Sequence, residues 1–224
     1  MTPMDSFDPL EPHEARILGV LIEKELTVPD QYPLSLNATT AGCNQKSNRN
    51  PVLQLSETEV QMQLDKLVVA GFVGRVHPAT SRVERFRHNF CERLDVDPTK
   101  AAILAELMMR GPQSRGDLRT RASRMSPIPT LEELAANLEP LVQRGLVRRL
   151  PPAPGSRAER FVQCLAPDSH PLDTAPVATE APIAAPEPVA PTPKPSSELE
   201  QRVARLERQL ADLAEKLGEP LSDS

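Results

Sequence analysis

SETEVQMQLDKLVVAGFVGR at residues 56–75 and TLEELAANLEPLVQRGLVRR at residues 130–149 carry one pattern twice. Ser56, Glu59, Val60, Leu64, Leu67, Val68, Gly71, Val73 and Arg75 return as Thr130, Glu133, Leu134, Leu138, Leu141, Val142, Gly145, Val147 and Arg149, each 74 positions later. Arg82, Glu84, Arg85 and Phe86 then return as Arg157, Glu159, Arg160 and Phe161, one residue later in register. A period this regular marks a duplicated structural unit and decides the architecture before any chemistry is considered.

Each copy spells a helix followed by a hairpin. Ser56 with Glu59, and Thr130 with Glu133, are capping boxes, in which each residue satisfies a free N–H of the other. Val60, Leu64, Leu67 and Val68 form the buried stripe of the first such helix. Gly71 and Gly145 suit a left-handed stop. Phe72–Val76 and Arg82–His88 read as paired strands around a turn. In the second copy the hairpin runs through the Pro-rich tip at residues 151–156. Pro140 lies inside the second helix, where it removes a hydrogen bond and predicts a kink.

Upstream, Glu11-Pro12 opens a helix with Ile17, Leu18, Leu21 and Ile22 on one face, ending before Pro29. Ser35 caps a short helix to about Gly42. In the second copy Asp97-Pro98 caps a helix carrying Ile103, Leu104, Leu107 and Met108. Gly111-Pro112 ends it, and Ser114 with Asp117 opens the next. Three helices and a hairpin form the winged-helix variant of the helix-turn-helix, with the hairpin as wing. The expected fold is therefore mainly α with small β-hairpins (α+β), as tandem winged-helix domains at residues 1–93 and 94–166. The pair Ile17/Ile103 is offset by 86, so the first copy holds 12 extra residues. They include the loop from Asn44 to Pro51, which has no counterpart in the second copy.

Residues 167–197 are rich in Ala and Pro and predict a disordered linker. Residues 198–218 then carry Leu199, Val203, Leu206, Leu210, Leu213 and Leu217. That 4-3-4-3-4 spacing is a coiled-coil seam. A lone helix of about 20 residues is marginal in water, so the seam predicts self-association as a homo-oligomer, a dimer in the simplest case.

The chain has 26 Lys and Arg against 31 Asp and Glu. Five of the basic and 11 of the acidic residues follow Ala166, which leaves the first 166 residues with 21 and 20. A neutral body argues against strongly electrostatic nucleic-acid binding. No run of 18 apolar residues predicts a membrane span, and the N-terminus lacks a signal-peptide pattern. Three dispersed cysteines fit reduced thiols and a cytoplasmic location.

No enzyme signature is present, and His13, His77, His88 and His170 lack metal-ligand spacing, so no activity, cofactor or metal is expected. Winged helices ordinarily read DNA with the third helix. Here that helix offers Glu57, Glu59, Asp65 and one Lys66 in the first copy, and Glu132, Glu133 and Glu139 in the second. Phosphates repel such a surface. Positive charge lies instead on the wings, at Arg75, Arg82, Arg85, Arg149, Arg157 and Arg160, and on the helix with Arg115, Arg119, Arg121 and Arg124. These residues are candidate phosphate or carboxylate ligands; a solvated, partly paired face is the competing reading. The extra loop supplies Asn44, Gln45, Lys46, Asn48 and Arg49, beside the lone Tyr32. Such side chains bind a partner or brace the loop itself, and bracing is the stronger expectation.

The segments PDQYPLSLNATTAGCNQKSNRNPV (29–52), LSETEVQMQLDKLV (55–68) and RGDLRTRASRM (115–125), with the terminal heptads, resemble the YceH-type family of uncharacterised bacterial proteins. The resemblance implies a tandem winged helix and assigns no activity, cofactor, target or functional residue. The long Ala/Pro segment departs from the family pattern. Two functions follow as expectations. One is a non-enzymatic interaction or scaffold module that binds a protein partner. The other is a sequence-non-specific or regulatory DNA-binding protein using wing arginines and the Arg-rich helix.

Overall fold

The computed structural model describes residues 8–78, 83–153 and 155–170. The heptad residues Leu199, Val203, Leu206, Leu210, Leu213 and Leu217, the wing residue Arg82 and most of the Ala/Pro segment lie outside the described residues. What is described is mixed α and β, with small antiparallel sheets.

In chain order the first copy runs α1 (Pro12–Thr27), β1 (Leu34–Ser35), α2 (Leu36–Cys43), α3 (Glu57–Val69), β2 (Val73–Val76) and β3 (Arg85–His88). After the short α4 (Phe90–Leu94), the second copy repeats the order. It runs α5 (Pro98–Arg110), β4 (Gln113–Ser114), α6 (Arg115–Ala122), α7 (Leu131–Gln143), β5 (Val147–Leu150) and β6 (Arg160–Gln163). Each sheet has three strands, β1-β3-β2 and β4-β6-β5, all antiparallel. The third strand extends the predicted hairpin. It consists of two residues, the second of them the cap of α2 or α6, too short to show a period.

Local chemistry explains the helix ends. Ser56 Oγ accepts from Glu59 N–H and the Glu59 carboxylate accepts from Ser56 N–H, a full capping box. At α7 one half forms, with Thr130 Oγ1 accepting from Glu133 N–H at 3.1 Å. Both helices stop in the same way. Gly71 and Gly145 have φ of 79° and 73°. Phe72 N–H reaches Leu67 O and Leu146 N–H reaches Leu141 O, both at 2.9 Å, closing paired Schellman motifs. α7 is continuous through Pro140.

The 12 extra residues divide between two places. The offset is 86 at Ile17/Ile103, 79 at Leu34/Gln113 and 74 at Ser56/Thr130. Seven therefore precede β1, where α1 is longer and a 3-10 turn forms at Pro29–Gln31, and five lie between α2 and α3.

The core joins the copies. Every residue of α1 from Glu14 to Glu23 is buried, and so is every residue of α5 from Ala101 to Met109. The one-sided stripe expected for α1 is thus a helix covered all round, because α1 packs against α5 as well as against its own copy. Gly19 makes the approach possible: a Cβ there would stand 2.8 Å from Met109 Cγ and 3.3 Å from Ala105 O. Leu10 N–H bonds to Leu165 O at 2.8 Å, so the start of the first copy meets the end of the second. Packing also continues past residue 166. Pro167–Ser169 form a 3-10 turn and His170 is buried, four residues beyond the linker boundary read from composition.

Candidate functional site

Bracing accounts for most of the extra loop. The Asn44 side chain accepts from Leu55 N–H and donates to Leu55 O, both at 2.8 Å, closing the loop like a strand pair. Arg49 is wholly buried at its side chain. Its guanidinium meets Glu23 Oε2 at 2.6 Å and Gln45 Oε1 at 2.9 Å, while Nε donates to Gly42 O at 3.1 Å. Arg16 donates to Cys43 O and Pro51 O, and burial lowers its pKa to about 10. Asn48 accepts from Arg110 of α5, and Asn50 N–H bonds to Met109 O at 2.9 Å. The loop therefore binds the end of the other copy's first helix. Within it, Lys46 and Ser47 remain exposed.

Tyr32 is likewise engaged. Its hydroxyl accepts from His88 N–H at 2.6 Å, and burial raises its pKa far above the usual range. His88 Nε2 lies 2.7 Å from Glu25 Oε2.

A second buried centre was not visible in the sequence. Glu106, wholly buried on α5, meets Arg110 Nε at 3.0 Å and Arg124 Nη2 at 3.3 Å. Arg121 joins through Gln113 Oε1 at 2.8 Å. Burial raises the Glu106 pKa, and the three arginines oppose that shift. The structure thus brings Asn48 of the loop and Arg124, just past α6, to the same stretch of α5. One signal existed: Glu106 interrupts the apolar run AAILAELMM, four residues before Arg110.

The remaining arginines are mostly held. Arg75 bridges Asp65 at 2.5 Å and Glu84 at 3.3 Å. Its equivalent Arg149 meets Glu139 at 2.5 Å, 74 positions on from Asp65. Arg85 donates to Pro33 O at 2.8 Å, Arg119 to Pro129 O at 2.9 Å and Arg160 to Pro151 O at 3.3 Å. Arg115 pairs with Glu159 at 3.2 Å and lies over the Phe161 ring. Arg157 is exposed, as are Arg87 and Arg148, and among the described residues these three make no ion pair.

What faces solvent on the third helices differs between copies. Met62 and Val69, one heptad apart on α3, are 55% and 90% exposed. Asp65 and Lys66 between them are neutralised, by Arg75 and by Glu11 at 2.8 Å. The equivalent crest of α7 is Glu132, Ala136, Glu139 and Gln143, polar and acidic. At the start of α7, Leu131 and Glu132 line a groove of about 660 Å³ with Gly116, Arg119, Thr120 and Pro129. Among the described residues no helix is long and apolar enough to cross a membrane.

A family model described as "Protein of unknown function, DUF480" matches residues 10–156. The "UPF0502 protein YceH" of Escherichia fergusonii is 40% identical over 220 residues, covering 95% of this chain and 96% of that relative. A "UPF0502 protein" of Shewanella loihica is 40% identical over 218 residues, 95% and 98% of the two chains. One from Geotalea daltonii reaches 50% over 155 residues, 68% and 71% of the chains.

Proposed function

The chain belongs to the DUF480 family, whose relatives carry the name UPF0502, and on that premise we propose a non-enzymatic interaction module. In this reading a tandem winged-helix body binds a protein partner, and the C-terminal heptads pair two copies in the cytoplasm. The order helix, short strand, helix, helix, hairpin in both copies supports the winged-helix assignment. The carrying observation is the crest of α3. Two apolar side chains stand in water at heptad spacing, and the charges beside them are already paired. Such a ridge suits an apolar groove on another protein and gains nothing from a phosphate backbone.

DNA binding is the second reading, favoured by the unpaired Arg87, Arg148 and Arg157 on the wings. Fluorescence anisotropy with a labelled random duplex at about 20 and about 150 mM salt separates the two, because counterion release makes phosphate contacts salt-dependent. The expected result is no binding even at low salt. Salt-dependent binding that weakens when the three arginines are replaced by Gln would instead establish the DNA role. For the heptads, removal of residues 197–224 should lower the mass measured by light scattering; an unchanged mass would remove self-association from the proposal.

A further inference from the structure

We propose that His170 is a proton-released clasp. It fastens the end of the compact body to the seam between the two copies, and it opens as the pH falls below the ordinary histidine range.

The clasp is built from three elements. Gly111, just past α5, has φ of 77°, and the His170 ring occupies the space where a side chain would stand: a Cβ there would lie 2.5 Å from His170 Cδ2. Nε2 lies 2.8 Å from Asn50 O, in the extra loop of the first copy. Asn50 in turn holds Met109 O through its N–H. The 3-10 turn Pro167–Ser169, which precedes the ring, packs on α1. One imidazole thus touches both copies at the point where they meet.

The tautomer follows from the partners. A carbonyl accepts, so Nε2 carries the proton and Nδ1 carries the lone pair. Nδ1 is enclosed and has no hydrogen-bond partner among the described residues. Protonation would put an N–H there with nothing to receive it. The charged groups around the ring do not help. On α1 the group acting on it is Arg16, whose positive charge opposes an imidazolium. On α5 the adjacent Arg110 is held by Glu106 and Asn48. In the loop Arg49 is held by Glu23. On its own turn Asp168 is exposed. Burial first, and Arg16 after it, hold the pKa below its usual value against the bond to Asn50.

The direction is fixed by linkage. The released ring binds a proton more readily than the seated one, so acid favours release. The seating is fully present above the released ring's pKa and is lost as the pH falls through and below it. With a released value near 6.5, the opening constant rises up to about 30-fold between pH 7.5 and pH 5.

Hydrogen exchange on the full chain, read on peptides covering residues 164–170 and corrected for intrinsic rates, tests this. The wild type should show that rise, with β5 unchanged as internal reference. His170→Phe keeps an aromatic ring but has no titratable nitrogen, and should show no pH response. A wild-type ratio near one, or a His170→Phe chain with the wild-type response, sinks the clasp. An NMR titration of His170 in the wild type gives an independent answer: a pKa at or above the ordinary value overturns the proposal whatever the variant does.

Discussion

The two copies share their scaffold and differ in what they show to water. α3 and α7 both begin at a hydroxyl cap, both end in a Schellman glycine, and both tie a mid-helix carboxylate to an arginine of the following hairpin. Yet the crest of α3 bears the exposed Met62 and Val69, whereas the equivalent positions of α7 are Ala136 and Gln143, beside the exposed Glu132. Duplication kept the contacts that make the fold. The exposed positions that contribute nothing to it diverged, and under the proposed function these are where a partner would be chosen. The second difference is the extra loop, which in the first copy reaches across and holds α5.

Breaking that hold is the largest expected effect. Arg49→Ala leaves Glu23 buried without its partner and should cost about 3–5 kcal/mol in urea unfolding. A loss below 1 kcal/mol would mean that the loop is an ornament. Next is the helix contact between copies. Gly19→Ala pushes a methyl towards Met109 and the Ala105 carbonyl and should cost about 1–3 kcal/mol in the same measurement. Caps offer a finer comparison. Ser56→Ala and Thr130→Ala should each cost about 1 kcal/mol, with Ser56 the larger because only its box is complete. Equal losses would show that the reciprocal bond from Glu59 adds nothing. Smallest are the helix-to-hairpin bridges. Arg75→Ala and Arg149→Ala each break an exposed pair and should shift stability by less than about 1 kcal/mol, less still at high salt.

Local signals in the sequence carried far. Caps and glycine stops are determined by neighbours a few positions away and are found where the pattern puts them, except that the box at Thr130 lacks its return bond from Glu133. Contacts over long separations were invisible. β1 and β4 are two residues each and become strands only by pairing with β3 and β6. Nothing in the text of α1 tells that Glu14, Arg16 and Glu23 are buried; Arg16 and Glu23 are held by the extra loop, and α5, more than 70 residues on, covers the helix from its other side. The candidate site suffered most. Asn44, Arg49 and Tyr32 have the side chains of a ligand site, but their partners are an internal backbone, a buried glutamate and a strand N–H. Conversely Met62 and Val69 lie off the buried stripe of α3, a readable sign of a second apolar face.

The pairing of α1 with α5 bears on what the duplication produced. A lone copy would leave one helix bare along a whole side, wet and prone to aggregate. The two halves should therefore melt in one transition, and neither should fold as a portable part.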